Sequence, residues 1–531
     1  MSRAGGSGGR KRLPLALGGI VLLATTVRLV ALGDRVAHWD EARIAYWVLQ
    51  YQASGAWTYH PVFHGPLLLH VERWVIGVVG PSDAAIRLPT ALIGGSLPAV
   101  AWLFRDRLTA REVLAMAGLL AANPILVYYS RFMRSDILVA TFALVSLGFA
   151  LRTAATRRYR YAVGAGVAFG LALGAKENAL LYLLAWIGAG TLWIGWQSRA
   201  GGVSEVPLAV VRHAKGALSR YGFQLVVAIG AMLPVLWAIY VPRGDGPGTL
   251  GAVLQDGATL PRALEAGLVT PPIQALEFWA LGSAQGEYPY YLFFALLCGL
   301  LVAGAAGTLL LAGIGLSRQW DRPVVAGAGL WAGLSIVGYP AAADLMTGWI
   351  ALHVVVPLTV PAAVGLVSVW DRPVEWPPGA RLHRPVLAVV VAYLVITIGL
   401  TSFVAPGSIA NPIGQPSQMS GAAGESIAAL DARLDGQGTQ IAYIGEYWRS
   451  HIHRLPFLWY VERTGAERVF VADIDALEDD PPPVLISHSD RRERITARHP
   501  AYVCREHERV PWEGGRPSGL PRSVLVCYEG H

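Results

Sequence analysis

Long, unbroken apolar runs alternate with short polar stretches over most of the chain. Apolar runs of about 18 or more residues can cross a bilayer as helices. Because lipid offers the backbone no hydrogen bonds, such runs must form helices or barrels, and continuous runs favour helices. The sequence therefore predicts a polytopic α-helical membrane protein. We expect about eleven spans, near residues 14–32, 84–104, 110–128, 136–153, 160–175, 178–196, 220–241, 289–316, 323–341, 347–369 and 385–404.

Basic residues fall on alternate loops between the predicted spans, beginning with Arg10, Lys11 and Arg12 before the first. The positive-inside rule places such loops in the cytoplasm. With an odd number of spans, residues 1–13 become a cytoplasmic tail and the C-terminus lies outside the cell. The predicted membrane domain, residues 14–405, then carries two large outer loops, 33–83 and 242–288.

The last part of the sequence has a different pattern. A Pro/Gly/Ser-rich linker over residues 406–423 leads into residues 424–531, where short strand-like and helix-like stretches alternate. This alternation predicts a small extracytoplasmic α/β domain with a partly parallel sheet. Cys504 and Cys527 lie on its last two predicted strands, and a disulfide or two buried free thiols fit equally well.

Composition supports the membrane assignment and narrows the partners. The 531 residues are 54% hydrophobic and 15% charged, which excludes a soluble protein. The net charge of +7 is carried by short loops between spans, so it reflects membrane topology and not nucleic-acid binding. We therefore expect membrane lipid as a partner and no nucleic acid. The three cysteines match no metal-ligand spacing.

The first outer loop concentrates polar chemistry. "DEARIAYWVLQYQASG" has helical spacing of apolar residues and predicts an interfacial helix with Asp40 and Glu41 in its first turn. Asp40 and Glu41 are the candidate catalytic residues, although Asp40 would also suit a simple helix cap. Further along, His60 and His64 flank a bend rich in proline and glycine. Each histidine suits proton transfer or substrate contact, and each also suits a structural role.

Ionisable residues at the ends of other predicted spans are further candidates. They occur in "YYSRFMRSDIL", in "GAKENALL" and in "GWIALHVVVPL". Charged groups at membrane depth are costly and are functional candidates by default. Arginine and lysine at one membrane surface also suit a lipid phosphate. The candidate substrate-binding residues here are Arg131, Arg134, Asp136, Lys176, Glu177 and His353.

Four motifs, "HWDEA", "YHPVFHGPLLLH", "SRFMRSDIL" and "AKENALL", resemble the GT-C superfamily of membrane glycosyltransferases. Their order and common predicted face look most like the archaeal flippase-activity-associated family. Its relatives include the dolichyl-phosphate-mannose protein mannosyltransferases and the aminoarabinose transferase of lipid A. The resemblance is strong over residues 14–200, weaker to residue 405, and only architectural beyond it.

The resemblance implies a GT-C-like fold and a sugar transfer from a polyprenyl (dolichyl-type) phosphate to a glycan, protein or lipid acceptor at the outer face. Asp40 matches the first-loop general base or acceptor-orienting acid, with Glu41 as its acidic neighbour. Asp136 matches the second-loop acid, and Lys176 with the arginines matches groups near the donor phosphate. The "RSD" sequence stands where oligosaccharyltransferases have a metal-binding pair of acids. The resemblance therefore does not imply that this chain requires a divalent metal. The alternative function is a flippase, or a flippase-associated protein, for lipid-linked oligosaccharides.

Overall fold

The helices of the membrane region follow the predicted spans. The computed structural model describes residues 7–199, 202, 205–281, 289–343, 347–371, 383–408, 410–414, 418–419, 421–434, 438–477, 480–508 and 523–530. Its first helices are α1 (Ser7–Leu29), α2 (Trp39–Ser54), α3 (Leu67–Val79), α4 (Leu88–Ser96), α5 (Ala110–Ala122), α6 (Pro124–Ser130), α7 (Asp136–Thr156), α8 (Tyr159–Ala175) and α9 (Ala179–Ser198). They are followed by α10 (Val206–Tyr240), α11 (Leu250–Gln255), α12 (Leu260–Leu264), α13 (Thr270–Leu276), α14 (Tyr290–Gln319), α15 (Pro323–Ala342), α16 (Ile350–Asp371) and α17 (His383–Gly399).

The polytopic helical prediction is confirmed. Among the described residues, eight helices are long and apolar enough to cross a membrane. A ninth span forms if α5 and α6, bent by 54° at their junction, count as one. Asn123 stands at that bend, and its side-chain oxygen accepts hydrogen bonds from the first backbone N–H groups of α6. The two remaining predicted spans coincide with α1 and with the 17-residue α8.

Helix α16 lies at the centre of the membrane bundle. In its most apolar stretch, 89% of the residues are buried. It packs closely against α14 because two glycines meet there. A Cβ atom on Gly315 would lie 1.9 Å from the carbonyl oxygen of Pro361, and one on Gly365 equally close to that of Leu311. Only glycine allows this approach, which is how small residues bring membrane helices together.

The C-terminal region forms the predicted α/β domain. Its helices are α18 (Ala423–Arg433), α19 (His451–Arg454), α20 (Phe457–Glu462) and α21 (Arg492–Arg498). Its strands are β1 (Gln440–Ile444), β2 (Glu467–Val471), β3 (Val484–Ser487), β4 (Tyr502–Glu508) and β5 (Ser523–Glu529). The sheet order is β2-β1-β3-β5-β4, with β2, β1 and β3 parallel and the last two strands antiparallel to their neighbours.

The two alternatives for the cysteines are resolved in favour of a disulfide. Cys504 and Cys527 face each other across β4 and β5 and are bonded. The bridge joins a buried apolar core that includes Ile444, Leu485 and Leu525.

The chain divides into two compact units that interleave along the sequence. The first comprises residues 1–30, 56–68 and 88–404, and the second comprises residues 31–55, 69–87 and 405–531. The second unit therefore combines parts of the first predicted outer loop with the C-terminal domain. Each unit holds some of the candidate site residues.

Candidate active site

Asp136 is the centre of a buried charged cluster in the first unit. Its side chain is almost fully buried, with 1% of the residue exposed. Lys176 Nζ lies 3.1 Å from Oδ1, and Arg134 Nε lies 3.2 Å from Oδ2. His353 Nε2 lies 3.3 Å from Oδ1. Asp136 thus serves as the shared counter-ion of two cations.

Three helix ends bring this cluster together. Asp136 is the first residue of α7, where the helix dipole stabilises a negative charge. Lys176 follows the last residue of α8 and has an extended backbone (φ −165°, ψ 140°), which ends the helix and turns the chain. His353 lies in the first turn of α16. The short "KEN" turn and the Asp136 helix start therefore meet because α7 and α8 pack as neighbours.

His353 is held on three sides. The hydroxyl of Tyr182 lies 2.7 Å from Nδ1. The ring of Tyr339 stacks on the imidazole, with centroids 4.7 Å apart and planes within 4°. If the tyrosine hydroxyl donates to Nδ1, the ring proton lies on Nε2 and faces Asp136. A hydrogen-bonded chain then runs from Tyr182 through His353 to Asp136.

Trp349 covers the two cations of the cluster. The guanidinium carbon of Arg134 lies 3.4 Å from the centroid of its ring, and Lys176 Nζ lies 5.9 Å from it. Cations are attracted to an indole face, most strongly when they are desolvated. Both cations are buried and contact the single carboxylate of Asp136. The cluster therefore brings two cationic side chains together next to an aromatic face.

Arg131 lies outside this cluster, although it is only three residues from Arg134. Its Nη1 donates to backbone carbonyls at the end of α1, including that of Arg28 at 3.0 Å. Its guanidinium also lies over the ring of Phe403, 4.6 Å from the centroid. Arginine at a helix C-terminus satisfies the last carbonyls and the helix dipole. These contacts give Arg131 a structural role at the end of α1. Arg134 is therefore the arginine that lies beside Asp136 together with Lys176.

Glu177 joins the neighbouring loop to the "KEN" turn. It accepts a hydrogen bond from the hydroxyl of Tyr59 and lies 3.4 Å, through Oε2, from His64 Nδ1. Gly65 allows the loop to come this close, because a Cβ there would lie 2.3 Å from the carbonyl oxygen of Gly174. The predicted bend therefore places His64 beside the charged cluster.

The environment of His64 keeps its imidazole neutral. Burial and the nearby charge of Lys176 lower the pKa of His64 by more than Glu177 and Asp136 raise it. A neutral imidazole can both donate and accept a hydrogen bond. His60, the other histidine of the bend, is exposed and lies 3.3 Å from the hydroxyl of Thr58. The two histidines therefore have different surroundings.

Glu41 organises the start of α2 in the second unit. It is fully buried and forms ion pairs with Arg35 and Arg87, each at 2.9 Å. It also accepts a hydrogen bond from the backbone N–H of His38, 2.9 Å away, and so completes a capping box. Burial alone would raise the pKa of Glu41, but the two arginines lower it well below its usual value. These contacts use both carboxylate oxygens for structure.

Asp40 is the other acid in the first turn of α2. The helix is capped by His38, whose Nδ1 accepts from the Asp40 backbone N–H at 3.0 Å, so capping does not occupy the Asp40 side chain. Its carboxylate lies 3.4 Å from Arg43, at the long end of an ion pair. The predicted helix and the placement of both acids in its first turn are confirmed.

The described acids near the cluster are not arranged as a metal site. Among the residues that the structure describes, no group of three or more His, Cys, Asp or Glu side chains is arranged to hold a metal ion. The acid that a metal would need, Asp136, is already surrounded by Lys176 and Arg134. Two cations at its oxygens oppose a third, so these residues do not fit a divalent ion.

Several residues of the site were not predicted from the sequence. Tyr182 and Tyr339 lie inside apolar helices, where tyrosine is unremarkable. Trp349 resembles an aromatic at the membrane interface, and Tyr59 begins the "YHPVFHGPLLLH" motif but was not among the candidate residues. For Tyr182 a weak signal exists, because it follows Asn178 of the "KEN" turn by four residues and lies on the same helix face.

Comparisons with known proteins show similar families and folds. The family profile described as dolichyl-phosphate-mannose-protein mannosyltransferase matches residues 61–200, and that of the Agl23 flippase-associated protein C-terminal domain matches residues 427–527. No curated protein sequence matches the chain significantly. The fold is similar to that of ArnT from Cupriavidus metallidurans, with a TM-score of 0.56, 16% identity and 98% of each chain covered. This chain has the GT-C fold.

Two further solved structures are similar. ArnT from Cupriavidus metallidurans bound to undecaprenyl phosphate matches with a TM-score of 0.53 and 17% identity, over 96% of this chain and 97% of that one. The Archaeoglobus fulgidus oligosaccharyltransferase matches with a TM-score of 0.45 and 14% identity, over 96% of this chain and 75% of that one. The mannosyltransferase match includes Arg134, Asp136 and Lys176.

Proposed function

We propose that the chain is a glycosyltransferase that moves a sugar from a polyprenyl phosphate to an acceptor glycan, protein or lipid. The observation that carries this proposal is the buried cluster in which Lys176 and Arg134 meet at Asp136 beneath Trp349. A phosphate at a membrane surface is a natural ligand for such cations. The similarity to a fold that binds undecaprenyl phosphate in ArnT supports the same ligand class.

In the proposed reaction an acceptor hydroxyl oxygen attacks the anomeric carbon of the donor sugar. The bond between that carbon and the phosphate oxygen breaks, and the phosphate leaves with the electron pair. Lys176 and Arg134 stabilise the negative charge that grows on the phosphate. Asp40 takes the proton of the attacking hydroxyl as general base. A single displacement of this kind inverts the configuration of the anomeric carbon.

Asp136 has a positioning role in this proposal. Its ion pairs hold Lys176 and Arg134 in place, and the chain through His353 fixes its own orientation. Without a carboxylate at this position, two buried cations would repel each other. A phosphate would then meet a disordered pair of side chains and not a fixed site.

We place the reaction at the outer face of the cell membrane, with the N-terminus in the cytoplasm and the C-terminal domain outside. The arginine-rich loops support this orientation through the positive-inside rule. The disulfide between Cys504 and Cys527 supports it independently, because such bonds persist in oxidising compartments.

Reconstitution tests the proposal. Purified protein in lipid vesicles is supplied with polyprenyl-phosphate hexoses and candidate glycan, peptide and lipid acceptors, and sugar transfer is followed by mass spectrometry. We expect transfer by the wild type and a loss of at least 100-fold in Lys176→Ala, as for removal of a charge-stabilising group. The matched control is Lys215→Ala, because Lys215 is exposed on α10. An equal loss in both variants would argue against the phosphate site.

The second candidate function is a flippase, or a flippase-associated protein, for lipid-linked oligosaccharides. The match of residues 427–527 to the Agl23 flippase-associated C-terminal domain favours it. The same vesicles separate the two functions. A flippase moves labelled lipid-linked sugar between leaflets without sugar transfer, whereas the glycosyltransferase consumes the donor.

A further inference from the structure

Adjacent residues of the "KEN" turn face two different clusters. Lys176 reaches Asp136 and Trp349, whereas Glu177 reaches Tyr59 and His64. The first cluster contains the cations Lys176 and Arg134, whose side chains suit a phosphate. The second is built around a carboxylate, which repels phosphate. Two neighbouring backbone positions therefore present groups of opposite charge, and they suit different parts of one ligand.

The second cluster combines aromatic rings with hydrogen-bonding groups. The imidazole of His64 stacks on the indole of Trp279, with centroids 4.9 Å apart and planes within 13°. Tyr59 packs edge-on against Tyr240, with centroids 5.2 Å apart. The side chains of His64 and Glu177 are 24% and 17% exposed, so the cluster is reachable from its surface. Rings beside a few fixed polar groups are typical of small-molecule sites.

The cluster also has unused hydrogen-bonding capacity. Within the described part of the chain, Glu177 Oε2 and the indole N–H of Trp279 have no hydrogen-bond partner, although both atoms are buried. The His64 Nδ1 contact to Oε2 at 3.4 Å is too long for a good hydrogen bond. Buried polar atoms without partners are costly and rare. The Glu177 oxygen can therefore accept a hydrogen bond from a ligand, and the Trp279 indole N–H can donate one. A hydroxyl group can be the partner of either, because it both donates and accepts.

We propose that Glu177, His64 and Trp279 form the subsite that holds the hydroxyl groups of the sugar on the lipid donor. This inference rests on the proposed function. A sugar hydroxyl donates to Glu177 Oε2, and another accepts from the indole N–H of Trp279. His64 contributes either a donor or an acceptor.

A binding comparison tests the subsite without requiring turnover. The probes are undecaprenyl phosphate and a panel of its hexosyl esters, measured against the full chain in nanodiscs. We expect the wild type to prefer one or more sugar-linked lipids. Glu177→Gln and Trp279→Phe should bind those lipids about tenfold more weakly, the effect of one or two lost hydrogen bonds, with unchanged affinity for undecaprenyl phosphate. Lys176→Ala should weaken the binding of both kinds of lipid.

A structural role of Glu177 predicts a different pattern. If Glu177 only ties the loop to the turn through Tyr59, then Tyr59→Phe reproduces the effect of Glu177→Gln, and that result overturns the subsite. We expect Tyr59→Phe to retain the preference for sugar-linked lipid. The subsite is also overturned if the wild type binds undecaprenyl phosphate and its hexosyl esters equally well. If the wild type shows the preference but transfers no sugar, the proposed function fails while the subsite stands.

Discussion

Lys176 and Asp136 form a buried ion pair with 3.1 Å between Nζ and Oδ1, in which the acid also serves Arg134 and His353. Charges buried together depend on one another, because removal of one leaves the others without compensation. The Lys176–Asp136 pair is therefore both a stability element of the first unit and the support of the proposed phosphate site.

Asp136→Asn tests the first of these roles. The substitution keeps the shape but removes the buried carboxylate that pairs with Lys176 and Arg134, so we expect a destabilisation of about 3–5 kcal/mol. The measurement is thermal or denaturant unfolding in detergent. Asp371→Asn is the control, since Asp371 pairs with Arg111 at an exposed position and its loss should cost about 1 kcal/mol or less. Similar stability of the two variants would contradict a buried charged cluster.

Glu41 gives the second unit a dependence on acid pH. Its folded-state pKa is lowered by Arg35 and Arg87, so its stabilising effect is present above the unfolded value of about 4.5 and is lost as pH falls toward the folded pKa. The Glu41→Gln variant has no carboxylate at this position, so its stability should not show this decrease at low pH. We expect the variant to be less stable than the wild type at pH 7, with a gap that narrows below pH about 4.5. A gap independent of pH would argue that Glu41 acts through packing alone.

Glu72 on α3 is predicted to behave in the opposite way. It is fully buried, and in the described residues neither carboxylate oxygen has a hydrogen-bond partner. Burial, with a smaller effect of Glu41, raises its pKa well above the usual value. Stability from this group is complete below the unfolded pKa and is lost as pH rises through the folded pKa. We expect Glu72→Leu to raise stability by about 1–3 kcal/mol at neutral pH and by less in acid. Lower stability of the variant at neutral pH would reveal a partner for Glu72.

The disulfide of the C-terminal domain can be checked by counting thiols. Of three cysteines in the chain, Cys504 and Cys527 are bonded and Cys298 is free. A maleimide should therefore label one thiol in the denatured protein before reduction and three after it. The bond closes a loop with a sequence separation of 23, so we expect its replacement by two serines to destabilise the domain by about 3 kcal/mol. Three labelled thiols before reduction would contradict the bond.

The sequence predicted the elements of the fold better than their contacts. Apolar runs indicate helices because lipid leaves the backbone no alternative. Each predicted span is helical, although the span at residues 110–128 is divided into α5 and α6 by a bend. The alternation after residue 424 likewise predicted the partly parallel sheet. Contacts between helices depend on small residues at particular crossings, such as Gly315 against α16, and no local pattern encodes which helix lies opposite.

The candidate site shows the same division. Ionisable residues at span ends pointed to Asp136, Lys176 and His353, because charge at membrane depth requires a reason. The sequence could not distinguish Arg131 from Arg134, since only the packing of α1 decides which guanidinium reaches the carbonyls. The aromatic partners that cover the cluster also lie in apolar surroundings that give no separate signal.

The most direct test of the central claim is single-turnover transfer of a labelled sugar from undecaprenyl-phosphate hexose in reconstituted vesicles, with Asp40→Asn and Lys176→Ala compared with the wild type. If Asp40 is the base and Lys176 steadies the phosphate, both variants lose transfer by at least 100-fold, as expected for removal of a catalytic group. Asp40→Asn should keep its affinity for undecaprenyl phosphate, and Lys176→Ala should lose it. Transfer at the wild-type rate by either variant would contradict the mechanism.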